Sequence, residues 1–208
     1  MPHFDSITRD GLVELVTGRI LERGGRMLIA IDGADAADPV TIADRIAIAL
    51  RDTGRAADVI SLHDYIRPAS LRMEFGRTDE MSYRTAWFDY AALDREVIRA
   101  LRHDARWLPA LWDEDRDRSA RSPIRTAAPG TVLLVAGPML LGRGLDFDLT
   151  VRLDMSEPAL HRRTPPDDRW TIPALLGHDR DNPSVPNIFI RWDHPDRPAL
   201  RIEDTARR

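Results

Sequence analysis

Thr131-Val132-Leu133-Leu134-Val135-Ala136 restricts the fold of this chain more than any other segment, because it is short, apolar and uncharged. A run of this kind suits a strand covered on both faces, as in the parallel sheet of an α/β protein. Met27-Leu28-Ile29-Ala30-Ile31 is a second such run, and 57–62, 147–153 and 187–192 read as further strands. Between them the apolar spacing becomes helical. Leu12, Val13, Leu15, Val16, Ile20 and Leu21 mark a helix within 6–23, which Gly24-Gly25 closes. Ile42, Ile46, Ile48, Ala49 and Leu50 mark another within 40–53, and shorter helical stretches fall near 89–102, 157–163 and 171–178. Strands alternating with helices predict a three-layer α/β fold, a mostly parallel sheet with helices on both faces. The length of 208 residues fits a single domain over 1–208. The charged, proline-rich stretch at about 113–130 reads as a surface loop.

Composition removes several chemistries. The chain has no cysteine, so disulfides, thiol catalysis and thiolate metal sites are excluded, which suits a reducing, cytoplasmic setting. All 30 basic residues are arginine. A Schiff-base lysine, a lysine general base and a phosphate-binding lysine are therefore all absent. The net charge is −4 with scattered cations, which gives nucleic acid no electrostatic footprint. There is no 18-residue apolar run to span a membrane, and the N-terminal MPHFDSITRD carries no export pattern. His178, His194 and the aspartates near them lack metal-ligand spacing, so no metal site is expected.

The stretch from Ile29 to Thr41 has the layout of a phosphate-binding Walker A loop: a buried strand, Gly33, four small residues, then a helix. On the template G-x-x-x-x-G-K-[ST], Asp38 stands at the second glycine, Pro39 at the lysine and Val40 at the metal-binding hydroxyl. Thr41 keeps the hydroxyl that follows. Such loops work because backbone N–H groups at a helix N-terminus face the phosphates. Here Asp38-Pro39 reads as an N-cap followed by proline at the first helical position. Proline deletes one donor, and the Asp38 carboxylate takes up others and repels phosphate. Asp35 is either a nucleotide contact or the residue that orders this turn.

Downstream segments extend the likeness. Ser61-Leu62-His63-Asp64-Tyr65-Ile66-Arg67-Pro68 resembles the S-x-D-D-[FY]-x-R-P segment of uridine-kinase-like proteins. Tyr83 to Leu93 is similar to that family's aromatic segment leading into F-D-x-x-x-L, and 131–141 to its apolar strand ending in an acid and a glycine. His161-Arg162-Arg163 with Arg169 resembles an arginine-bearing lid, here a small one over about 157–180. The terminal strand and the 193–198 turn also fit. The chain thus resembles uridine and other nucleoside kinases of the P-loop class from about residue 24 to 200.

The resemblance implies ATP-dependent phosphorylation of a nucleoside or similar hydroxyl compound, with ATP and magnesium as cofactors. Gly33, Asp35, Asp38, Thr41, Arg162, Arg163 and Arg169 would then surround the nucleotide. Tyr65, Arg67, Tyr83, Arg84 and Trp87 would line the acceptor pocket. The departures fall on the chemistry. His63 stands where the family places its catalytic aspartate, and Asp64 is next to it, although neighbours at a strand end point to opposite sides. Ala136 replaces the acid that would assist magnesium. Lysine, metal hydroxyl, base and acid are all gone, and kinase catalysis consists mostly of positioning and charge neutralisation by such groups. Two expectations follow: an impaired kinase with His63 or Asp64 at the catalytic position, or a non-catalytic module on the same scaffold. The second would use neither ATP nor magnesium and would bind a nucleoside-like ligand or a partner protein; a homodimer is compatible with either.

Overall fold

The computed structural model describes residues 4–194 and 196–202; Met1 to His3 of the N-terminal stretch and Pro195 of the terminal turn lie outside the described residues. Five parallel strands form the centre of the sheet. In chain order the strands are β1 (Asp5–Ser6), β2 (Met27–Gly33), β3 (Ala57–Ser61), β4 (Val132–Gly137), β5 (Leu149–Asp154), β6 (Ile188–Arg191) and β7 (Ala199–Ile202). They lie side by side as β1-β7-β6-β5-β2-β4-β3. β2 runs parallel to β4 with Met27 opposite Val132 and Asp32 opposite Gly137, and β5 flanks its other edge.

Every residue of β2 and β4 is buried, as the unbroken apolar runs require of strands covered on both faces. In β5, buried Leu149, Val151 and Leu153 alternate with half-buried Thr150, Arg152 and Asp154. α1 (Arg9–Leu21) packs against α2 (Pro39–Asp52), and α2 lies along β2, β3 and β4. Ile42, Ala43, Ile46, Ala47 and Leu50 form the buried stripe of α2, at the helical spacing read from the sequence.

The fold differs from the sequence reading mainly at short elements. β1 and β7 pair antiparallel at the edge and are too short to carry a pattern. The stretch read as a surface loop at 113–130 holds more order: Trp112–Asp113 pairs with Arg118–Ser119, and Arg106–Trp107 with Arg125–Thr126. Charged and proline residues masked these two short pairings, whose only buried side chain is that of Trp107. The helical stretch near 89–102 is composite: Tyr90–Leu93 and Ala100–Asp104 flank a π-helical Asp94–Arg99. The 157–180 segment becomes α3 (Glu157–Arg163), a 3-10 turn over Pro166–Thr171, and α4 (Ile172–Asp181). Among the described residues no helix is long and apolar enough to cross a membrane.

Candidate functional site

The turn after β2 is closed by its own backbone. Asp35–Ala37 form a 3-10 turn in which the Ala37 N–H donates to the Ala34 carbonyl at 2.7 Å and the Asp38 N–H to that of Asp35 at 2.9 Å. Asp38 adopts the left-handed conformation (φ 57°, ψ 54°), which aspartate tolerates better than most residues and glycine adopts freely. Its Oδ1 accepts from the Thr41 N–H at 3.4 Å, and Pro39 occupies the first turn of α2 without an N–H. At the start of α2, Pro39 thus lacks one of the donors that a helix N-terminus offers to an anion, and Asp38 takes the Thr41 donor with its own carboxylate.

His63 connects this turn to the 113–130 segment. It sits not at a strand end but in a 3-10 helix, Leu62–Tyr65, which turns the chain between β3 and the aromatic region. Neighbours in such a turn do not alternate as strand residues do, so the opposition of His63 and Asp64 expected at a strand end does not follow. The His63 ring meets Glu114 Oε2 through Nδ1 at 2.8 Å and Asp35 Oδ1 through Nε2 at 3.2 Å. Burial opposes its charge, but the hydrogen bonds and fields of the two carboxylates prevail and push its pKa up to about 10. Glu114 is held in turn by Arg72 at 2.9 Å, and the Arg72 guanidinium lies 5.2 Å from the Trp87 ring.

Between the turn, the His63 segment and the 157–180 region lies a cavity of about 610 Å³, within the range of small-molecule sites. Its apolar wall is a cluster of Tyr83, Trp87 and Trp170 whose ring centroids lie 5.3 to 5.5 Å apart at steep angles. Tyr83 is only 4% exposed, and its hydroxyl has no hydrogen-bond partner among the described residues. Burial first, and then the fields of Asp35, Tyr90, Glu114 and Asp168, hold that hydroxyl firmly protonated.

The structure gathers Asp35, His63, Tyr83, Trp87 and Arg163 around this cavity and leaves the other sequence candidates outside its lining. Tyr65 is fully buried and donates to the Leu108 carbonyl at 2.5 Å, so it braces the core rather than facing a ligand. Asp64 lies off the cavity, with burial raising its carboxyl above the usual range. Arg67 bonds to Trp87 through its backbone, and Arg84 pairs with Asp181 at 2.8 Å. Arg169 donates to its neighbour Thr164, and Arg162 is exposed. Gly33 lies against Leu153 beside a small gap, whereas Asp38 and Thr41 line a separate cleft with Arg9, Arg45 and Arg163. Burial, then the adjacent Arg9 charge, holds Arg163 below the ordinary arginine range.

Three residues at the site escaped sequence reasoning. Glu114 sits in a tract that reads as solvated charge, and its partner His63 is distant in the chain. Asp168 and Trp170 lie in a 3-10 turn too short for periodicity. Below the site, Asp32 is fully buried at the end of β2; it accepts from the Leu140 N–H at 2.8 Å and pairs with Arg152, which also reaches Asp179. β4 ends in buried Ala136 and Gly137 with no carboxylate, and among the described residues no cluster of three or more His, Asp or Glu side chains could hold a metal ion.

The backbone resembles several solved kinases. A possible uridine kinase from Bacillus stearothermophilus superposes with a TM-score of 0.68 at 19% identity, covering 82% of this chain and 91% of that one. A fructose transport system kinase from a Silicibacter species gives a TM-score of 0.62 at 23% identity, with 85% and 90% covered. This is a P-loop kinase-like fold. A D-glycerate 3-kinase from Cryptococcus neoformans has a TM-score of 0.52 at 12% identity, covering 84% of this chain and 81% of that one. No protein-family model matches the chain, and no curated protein matches it by sequence. The 610 Å³ cavity opens beside the strand-turn-helix formed by β2, 33–38 and α2.

Proposed function

We propose that this chain is a non-catalytic descendant of the small-molecule kinases that binds a nucleoside-like ligand in the cavity walled by Tyr83, Trp87 and Trp170. The observation that carries this reading is the Asp38 carboxylate turned onto the Thr41 N–H, with Pro39 beside it where a kinase needs lysine. An incoming triphosphate would meet a fixed negative charge at a helix start that lacks the Pro39 donor and has the Thr41 donor taken. Loss of one preorganised donor commonly costs about 10²–10³ in rate, and here several are missing together.

The charge on His63 supports the same reading. A general base must hold a free electron pair near neutral pH, and His63 stays protonated up to about pH 10 between Asp35 and Glu114. Asp64, the other candidate base, lies off the cavity. ATP and magnesium, the cofactors of the kinase reading, therefore have no role in this one. The net charge of −4 and the lack of cysteine fit a cytosolic protein without a nucleic-acid partner.

Calorimetry with ATP and magnesium tests the closed turn, and Trp87 and Trp170 fluorescence with uridine tests the cavity. The expected result is no heat from the nucleotide and a quench from the nucleoside. A triphosphate seated in the 33–38 turn of a soaked crystal would sink the proposal.

A further inference from the structure

The cavity holds a carboxylate, that of Asp168, which no cation pairs with among the described residues. The ionisable side chains of its lining are Asp35, Glu114 and Asp168 against His63 and Arg163. His63 is committed to Glu114 and to one oxygen of Asp35, and Arg163 donates to the Trp192 carbonyl at 3.2 Å. Arg72 joins Glu114 from behind Trp87. Asp168 makes no ion pair among the described residues and is exposed at the cavity edge. The second oxygen of Asp35 is likewise uncommitted, on a side chain that remains 55% exposed.

Two further features stand beside this charge. Tyr83, almost wholly buried, presents an unpartnered hydroxyl that feels Asp35, Glu114 and Asp168 together. The hydroxyl itself opens to the cavity, where it is free to accept from a ligand. The aromatic wall offers π faces, which attract cations and stack on rings. A phosphate or carboxylate placed beside Asp168 would be repelled.

We infer that the cavity takes a ring-bearing organic amine. Its ammonium is held by Asp168 and Asp35, the Tyr83 hydroxyl oxygen accepts one of its N–H groups, and its ring packs against Trp87 and Trp170. This rests on reading the cavity as a ligand site and adds the chemical class of the ligand.

Matched pairs that differ only in the ammonium test it: 5′-amino-5′-deoxyuridine against uridine, tyramine against 4-hydroxyphenylethanol, and glucosamine against glucose. Binding is followed by tryptophan fluorescence and calorimetry at pH 7 in the full chain. The expected result is that at least one amine binds about tenfold or more tightly than its alcohol, since hydrogen bonds to a charged group exceed neutral ones. Asp168→Asn should remove most of that preference, and Tyr83→Phe should weaken the amine without unfolding the protein. Equal binding of amine and alcohol in every pair overturns the amine assignment and leaves the cavity reading intact. Silence from all six compounds overturns both, and an amine preference that survives Asp168→Asn overturns the placement of the charge.

Discussion

His63 Nδ1 lies 2.8 Å from Glu114 Oε2, and this contact ties the turn after β3 to a segment that the sequence presents as solvated loop. Because Asp35 meets the opposite ring nitrogen, the imidazolium bridges the phosphate-loop position and the 113–130 segment across the mouth of the cavity.

That bridge gives stability a pH dependence of definite sign. The folded pKa of His63, about 10, stands above its ordinary 6.5, so the folded state holds the proton more tightly. Its contribution is complete below about pH 6.5 and is lost as pH rises towards 10. The melting temperature should fall more across pH 6.5–10 in the natural protein than in His63→Gln. NMR of the ring should find it protonated at pH 7.5. A ring titrating near 6.5 would refute the bridge.

At Asp38 the backbone and the side chain can be separated by substitution. Asp38→Ala removes the N-cap and places a non-glycine residue without a polar side chain at φ 57°, which should cost about 1–2 kcal/mol by urea unfolding. Asp38→Gly also loses the cap but relieves the left-handed backbone, so its cost should stay within a few tenths of a kcal/mol. Equal losses in both would show that the conformation assigned to this residue is wrong.

Gly137 ends β4 at φ 154°, and a Cβ there would stand 2.5 Å from Leu62 Cβ. Gly137→Ala should therefore destabilise the protein by about 2–3 kcal/mol. Leu62 opens the turn that carries His63, so ligand-induced quenching of the tryptophans should weaken as well. A variant as stable as its parent would contradict the close approach.

Arg152→Met leaves Asp32 buried at the end of β2 without its cation. Removal of one partner of a buried pair costs about 3–5 kcal/mol, because the remaining charge is uncompensated. Urea unfolding should show a loss of this size, and the double variant Arg152→Met with Asp32→Asn should recover part of it. Absence of recovery would mean that the two residues do not act as a pair.

The sequence determined the central layers of the architecture. Apolar runs at 27–31 and 131–136 and helical spacing at 40–53 announce buried parallel strands and their covering helix, because burial on two faces demands uninterrupted apolar side chains. The substitution of Asp38 and Pro39 into a phosphate-loop layout was legible for the same reason: capping and the missing proline donor are local chemistry. The cavity was not legible. Glu114 reaches His63 across 51 positions, and Trp170 joins Tyr83 and Trp87 from a distant turn. Tyr65 and Arg84 look like ligand contacts in the sequence, yet one is buried against Leu108 and the other paired with Asp181. Local patterns record how each segment meets the core, whereas charge pairing and cavity shape depend on segments that only folding brings together.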